Sequence, residues 1–230
     1  MLKKIFIILI SLVLAGTPFL LPQLLITIRN IDCENQFGKC SNEINEKLEF
    51  IKGEKLLSAD RHIKNVLEND FRVKEYQLHF NFPDNYKISV IERKPKFAVT
   101  NESKSWFAQI DSEGYVISVV ETSNLPSVIT DAPVPTTGNK LDKRLLFALE
   151  LVYFVSNRYQ VYSGKLVDNS LSLIIKPFRE VLLPLEGEKE IILGQLIFLT
   201  GNSEREILNK LENSGNITLD LRYKNPVLKF

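Results

Sequence analysis

Side chains able to carry out catalysis are sparse in this sequence. Its only histidines, His62 and His79, fall on a predicted helix and a predicted alternating strand, without the nucleophile and orienting group that a hydrolase needs. Asp111 and Glu113 have the residue types of a glycosidase acid–base pair, although a charged turn at a hairpin tip explains them more simply. The strings GxSxG, HExxH, GxGxxG and the P-loop are missing. We therefore expect no enzyme activity, no catalytic residues and no cofactor. If the chain is an enzyme after all, a wall hydrolase is the alternative.

The two cysteines, Cys33 and Cys40, are separated by the six residues ENQFGK. If this segment lies outside the cytoplasm, where thiols are often oxidised, we expect a disulfide that closes a short loop. The alternative is two small buried side chains with reduced thiols. We expect no metal site, because two thiols without a second Cys or His pair cannot complete a tetrahedral zinc site.

The N-terminal residues have the pattern of a membrane span. Residues 5–22 carry no charge and are long enough to cross a hydrocarbon core of about 30 Å. Lys3 and Lys4 precede them, so the positive-inside rule places residues 1–4 in the cytoplasm and the rest of the chain outside it. The alternative is a signal peptide cleaved near Ala15-Gly16-Thr17.

The charge balance disfavours nucleic acid as a partner. The chain has 29 basic and 28 acidic residues, and without Lys3 and Lys4 the exported part has 29 − 2 = 27 against 28, or about −1. Nucleic-acid binding selects a concentrated basic face, which this balance does not provide. The 44% hydrophobic content is sufficient for one large folded domain or two modest ones.

The residues after the span predict a small α+β unit. Apolar residues alternate from Leu24, which indicates a strand, and Ser41 and Ser58 are candidate caps of two short amphipathic helices. A period of two then marks strands over residues 76–82 and 86–90, with a turn at Pro83 between them. We expect the order strand, helix, helix, strand, strand, with both helices on one face of the sheet.

Beyond Pro95 the pattern predicts a second, mainly antiparallel β domain with flanking helices. The predicted strands are 97–100, 106–110, 116–120, 159–167, 171–176, 180–185 and 217–230. Leu141 to Val152 predicts a helix with one apolar face, and Ser203 with Glu206 predicts a capping box for another. The chain therefore reads as α+β with two folded domains behind a membrane anchor.

Four strings in this layout resemble the bacterial cell-division family FtsQ, also called DivIB. They are FPDNYKISVIERKP from Phe82 to Pro95, QIDSEGYVI from Gln109, LPSVI from Leu125 and Asp220-Leu221-Arg222-Tyr223. The resemblance implies a polypeptide-transport-associated (POTRA) domain over residues 24–95 and an FtsQ-type β domain over residues 96–230. The short tail of residues 1–4, the cysteine pair and the ending Val227-Leu228-Lys229-Phe230 depart from the family pattern.

The resemblance also implies a divisome scaffold in the cell membrane at the division septum. Its partners would be single-span division proteins resembling FtsB and FtsL, with septal wall synthases as further partners. Carried over to this sequence, the binding residues would be Arg222, Tyr223 and Asn225, with Tyr223 as the aromatic anchor on a final edge strand. The alternative is a POTRA-type polypeptide-binding module of a secretion or envelope-assembly system.

Overall fold

The computed structural model describes residues 25–176, 178–201 and 217–229. These residues form an α+β fold with two mixed sheets and four helices, which confirms the predicted class. The chain divides into two compact units, the first ending at Arg93 and the second beginning at Lys94. The predicted tail 1–4, the predicted span 5–22 and the helix predicted from Ser203 lie outside the described residues. Within the described ranges, no helix combines the length and apolar character that crossing a bilayer requires.

The first unit packs two helices against a four-stranded sheet. Its elements are β1 Asn30–Asn35, β2 Gly38–Lys39, α1 Asn42–Glu49, α2 Leu56–Glu68, β3 Val73–Asn81 and β4 Asn85–Glu92. The strand order is β2-β1-β4-β3, with β1 parallel to β4 and the other pairs antiparallel. Parallel pairing of β1 and β4 is possible because both helices lie between them in sequence and return the chain to the same end of the sheet.

The first strand begins later than its alternating apolar residues predict. Ile28 is fully buried, but its amide donates to the Glu54 carbonyl at 2.9 Å and its own carbonyl accepts from the Gly53 amide at 2.8 Å. Residues 26–28 are therefore hydrogen-bonded to the loop between the helices, and β1 starts only at Asn30.

Apolar residues at helical and strand spacing meet in the core of the first unit. Buried core side chains come from α1, α2 and β4: Ile44, Leu48, Ile63, Leu67, Tyr86, Ile88 and Val90. Each large aliphatic side chain buried in this way stabilises the fold by about 1.5–3 kcal/mol. The amphipathic pattern in the sequence therefore corresponds to the packed faces.

The second unit is a nine-stranded sheet with two helices among its described residues. Its elements are β5 Phe97–Asn101, β6 Phe107–Ile110, β7 Val116–Val120, β8 Ser127–Thr130, α3 Lys143–Tyr159, β9 Ser163–Val167, β10 Ser170–Leu173, β11 Glu180–Pro184, α4 Lys189–Thr200, β12 Thr218–Asp220 and β13 Val227–Lys229. The strand order is β13-β12-β11-β10-β9-β8-β5-β6-β7.

Among the described strands, five of the eight neighbouring pairs in this sheet are antiparallel, in line with the predicted mainly antiparallel domain, but the sheet is mixed. Three pairs are parallel: β5 with β8, β8 with β9, and β11 with β12. A parallel neighbour requires a crossover connection, and α3 lies between β8 and β9 in the chain, as α4 does between β11 and β12. The sequence pattern predicted α3 but neither α4 nor β8, and strand direction depends on pairing that periodicity does not report.

The core of the second unit is closely packed around α3. Leu149 and Val152 are fully buried, and the Asp142 carboxylate caps the helix by accepting from the Arg144 and Leu145 amides at 2.9 and 3.0 Å. At Gly164 in β9, a Cβ atom would lie 2.7 Å from a methyl group of Leu171. A larger residue at this position would therefore require the Leu171 side chain to shift.

Candidate functional site

The candidate site is the 217–229 hairpin, which comprises β12, the bend 222–225 and β13. β12 pairs in parallel with β11, and β13 pairs antiparallel with β12, with Thr218 opposite Lys229 and Asp220 opposite Val227. Among the described strands β13 is one of the two outer strands of its sheet, and β7 is the other. Leu219 and Leu221 are buried, so β12 is anchored in the core and β13 is carried on its outer side.

A buried carboxylate holds this hairpin together. Asp220 has no exposed surface, and its Oδ1 accepts from the Arg222 Nε at 2.9 Å and from the Arg222 amide at 3.2 Å. Its Oδ2 accepts from the Arg222 Nη2 at 2.7 Å and from the Lys229 Nζ at 2.8 Å. Hydrogen bonds from Arg222 lower the pKa of Asp220, burial raises it, and the hydrogen bond from Lys229 lowers it again. Together they hold the pKa of Asp220 well below its usual range. Asp220 is therefore an ionised anchor for the bend and for β13.

The three residues carried over from the family resemblance lie in the bend. Arg222 directs its guanidinium to Asp220, and a third of its side chain is still exposed. Tyr223 is 54% exposed, and Asn225 is exposed beside it. The bend thus presents Tyr223 and Asn225 to solvent, whereas Arg222 shapes it.

The strand predicted over residues 217–230 is divided in two, which corrects that prediction. The local Asp220–Arg222 pair turns the chain directly after β12, and Pro226 disfavours the helical region for Asn225 and supplies no amide hydrogen. β13 then returns along β12. Period-two alternation does not report a bend of this kind, because the bend depends on the contact between Asp220 and Arg222.

Helix α4 supports the bend from the side. The Gln195 side-chain amide donates to the Lys224 carbonyl at 3.3 Å. On the same helix Ile191 and Phe198 are 55% and 64% exposed, and Val227 and Leu228 of β13 are more than one-third exposed. An edge strand with exposed apolar side chains and an exposed tyrosine has the features of a protein-binding edge.

Sequence reasoning did not identify Asp220 and Lys229 as the residues that hold this site. Alternation with Leu219 and Leu221 on inward positions places Asp220 on the opposite face, so the pattern gave no signal that this aspartate is buried and paired. Lys229 carried no signal either, since its contact depends on the register of β13 against β12.

Cys33 and Cys40 are joined by a disulfide, with their Cα atoms 5.5 Å apart. The bond links β1 to the residue just after β2, and both sulfur-bearing side chains are buried. The Gln36 side-chain amide pairs with the backbone of Glu92, donating to its carbonyl at 2.7 Å and accepting from its amide at 2.9 Å. The loop is therefore held both by the disulfide and by the end of β4.

Of the side chains first considered for catalysis, His62 and Asp111 have local partners. His62 contacts Glu54 at 2.9 Å, and His79 is exposed on β3. Asp111 is buried and accepts from the Glu113 and Tyr115 amides at 2.9 and 2.8 Å, which forms the turn between β6 and β7. In this arrangement Asp111 acts as a turn carboxylate.

A groove of about 680 Å³ lies between the 131–142 segment, α3 and the β9–β10 turn. Its charged lining includes Asp142, whose carboxylate caps α3, and Arg144, which donates to the Asn169 side chain at 3.1 Å. Across the parts of the chain that the structure describes, three or more His, Cys, Asp or Glu side chains are nowhere grouped to hold a metal ion. In this groove, Asp142 and Arg144 therefore already have structural partners.

Comparison with known proteins adds no assignment. No protein-family model matches the chain, and no curated protein matches its sequence.

Proposed function

We propose that this chain is a non-catalytic, membrane-anchored scaffold of the FtsQ/DivIB kind that binds single-span division proteins outside the cytoplasm and couples their assembly to septal wall synthesis. The first unit would be its POTRA domain and the second its FtsQ-type β domain. The observation that carries the proposal is the 217–229 hairpin, in which a core-anchored strand holds an outer strand beside an exposed tyrosine.

The hairpin suits recognition by main-chain pairing. An added strand would take hydrogen bonds from the outer edge of β13 while its side chains contact Tyr223, Val227 and Leu228. Affinity in this mode comes from backbone pairing, and an aromatic side chain at the edge supplies specificity. Asp220 acts indirectly, because it fixes the position of β13, and a partner would add its own strand along β13.

Co-purification from gently solubilised native membranes tests the proposal. The full chain is compared with Tyr223→Ala and with a matched control, Tyr162→Ala, since Tyr162 is 56% exposed in the same unit. We expect small single-span partners with the parent chain and the control, and a loss of about tenfold or more with Tyr223→Ala. Retention by all three proteins would contradict the hairpin site, and failure of the parent chain to recover such partners would contradict the scaffold function.

One observation favours the alternative function, a POTRA-type module that binds polypeptides in secretion or envelope assembly. β3 is one of the two outer strands of the first sheet and spans nine residues. A groove of about 480 Å³ runs across β3 and β4 past Tyr76 and Ile91. A strand of this length offers more main-chain positions than β13. Crosslinking from Gln77 to unfolded client polypeptides, with no crosslinks from Tyr223, would favour this alternative.

A further inference from the structure

Four large apolar side chains are exposed at one end of the first unit. Leu25, Phe50, Leu57 and Phe82 are 69%, 87%, 48% and 81% exposed. Single exposed apolar residues are ordinary on a protein surface, but a group of four in one region marks a contact surface. We call these four residues the apolar end.

Backbone hydrogen bonds bring the three segments of the apolar end together. The Leu56 amide donates to the Ile26 carbonyl at 3.0 Å, which joins the beginning of α2 to the residue after Leu25. The Arg29 amide donates to the Asp84 carbonyl at 3.0 Å, which joins the same stretch to the β3–β4 turn. Phe50 and Leu57 flank the loop between the helices, and Phe82 lies in that turn.

The opposite end of the same sheet supplies an internal comparison. β1 runs parallel to β4, with Asn30 opposite Asn85 and Asn35 opposite Val90. Phe37, at the tip of the β1–β2 hairpin, is therefore about 20 Å from the apolar end, since a strand advances about 3.3 Å per residue. Phe37 is 69% exposed, so it matches the apolar end in chemistry but not in position.

We propose that the apolar end rests on the lipid bilayer, with Phe50 and Phe82 inserted at the boundary between headgroups and acyl chains. This inference rests on the membrane anchor in the proposed function. Only residues 23 and 24 separate the predicted span 5–22 from Leu25, and an extended chain covers at most about 3.5 Å per residue. Leu25 would then lie within about 10 Å of the end of the span. A surface this close to the anchor faces the bilayer.

The basic residues nearby indicate that apolar contact, not headgroup charge, drives this association. Arg29 is 3.6 Å from the Asp84 carboxylate, and Lys52 forms an ion pair with Glu49. The Lys55 ammonium donates to the Leu25 carbonyl at 3.2 Å. Since Arg29 and Lys52 have carboxylate partners within the unit, contact with the bilayer should persist in neutral phosphatidylcholine.

Depth-dependent fluorescence quenching in vesicles tests the inference with the full chain. Trp106 is replaced by phenylalanine, and a single tryptophan is placed by Phe50→Trp, Phe82→Trp or the matched control Phe37→Trp. The proteins are reconstituted in phosphatidylcholine vesicles with doxyl-labelled acyl chains. We expect quenching at positions 50 and 82 that exceeds that at position 37 by about twofold or more, and a blue-shifted emission at both.

The outcomes separate this inference from the function on which it rests. Equal quenching at positions 37, 50 and 82 in a chain that resists carbonate extraction would overturn the bilayer contact and leave the anchor intact. Extraction of the chain by carbonate would overturn both. A third outcome is a blue shift that grows with protein density and is not accompanied by quenching from the doxyl-labelled lipid. This outcome would overturn the bilayer contact and indicate that a second copy covers the apolar end.

Discussion

The Asp220 carboxylate accepts hydrogen bonds from the Arg222 guanidinium on both of its oxygens, at 2.9 and 2.7 Å, although Asp220 itself has no exposed surface. A bidentate pair between residues two apart turns the backbone sharply, so the pair ends β12 and begins the bend. The Lys229 ammonium reaches the same carboxylate from β13 at 2.8 Å. One buried anion therefore both shapes the bend and ties the outer strand to the core.

Substitution Asp220→Asn should destabilise the chain by about 2 kcal/mol. The amide keeps the shape of the side chain but removes the charge that two cations share, and breaking a buried pair is costly. Arg222 and Lys229 are partly exposed and recover some solvation, so we expect less than for a fully buried pair. Urea unfolding followed by Trp106 fluorescence measures the change, because this single tryptophan lies in the same unit.

Glu102→Gln is the matched control for Asp220→Asn. Glu102 pairs with Lys165 in the same unit, but both side chains are substantially exposed. Exposed ion pairs contribute little to stability, so we expect an unfolding midpoint close to that of the parent. An equal loss with both variants would contradict a special role for the buried carboxylate.

The contribution of Asp220 should disappear in acid. Its folded-state pKa lies below that of the unfolded chain, where an aspartate titrates near about 3.9, so the folded state is favoured above that pH. As pH falls below about 4, the unfolded chain takes up the proton first and the stabilisation decreases. The difference in free energy of unfolding between the parent and Asp220→Asn should be smaller at about pH 3 than at about pH 7. A difference that stays constant would contradict the ionised anchor.

Tyr86 should make the first unit sensitive to alkali. Its hydroxyl donates to the Asp60 carboxylate at 3.0 Å, and burial followed by the charge of Asp60 raises its pKa. The stabilisation is complete below the unfolded tyrosine pKa of about 10 and is lost as pH rises above it, because the unfolded chain ionises first. Tyr86→Phe should cost about 1 kcal/mol at neutral pH and weaken the alkaline decline, measured by circular dichroism. A steeper decline in the variant would oppose this assignment.

Reduction of the Cys33–Cys40 disulfide should destabilise the first unit selectively. Closing a loop of this size stabilises by about 2.5 kcal/mol in the chain-entropy treatment. We expect far-ultraviolet circular dichroism to show an earlier unfolding step in a thiol reductant, while the Trp106 transition stays in place. Coincident shifts of both signals would mean that the two units unfold together.

The spacing of apolar residues along the chain predicts individual helices and strands of this fold. The strand Val116–Val120 begins and ends at the residues that alternation predicts, and Ile44 and Leu48 are buried as helical spacing requires. The parallel strand pairs and the division of the last strand were not predictable, because they depend on pairing between distant residues and on the Asp220–Arg222 contact. The exposure of Tyr223 likewise follows from the bend and not from its alternating position.

Gly164 and Gly194 should respond to alanine with opposite signs. In β9 a Cβ on Gly164 would lie 2.7 and 2.8 Å from methyl groups of Leu171 and Leu173, so Gly164→Ala forces the core apart and should cost about 1–3 kcal/mol. In α4 a Cβ on Gly194 meets nothing within 4 Å, and alanine is the better helix former by about 1 kcal/mol.

Both variants replace glycine by alanine, so a difference between them reports side-chain packing in the second unit. Urea unfolding followed by Trp106 fluorescence should move to lower denaturant for Gly164→Ala and to higher denaturant for Gly194→Ala, since alanine reduces the freedom of the unfolded chain equally at both sites. A tolerant Gly164→Ala would mean that Leu171 and Leu173 can move away from β9. A destabilising Gly194→Ala would mean that the outer face of α4 is covered in solution, which places a partner beside the 217–229 hairpin that Gln195 supports.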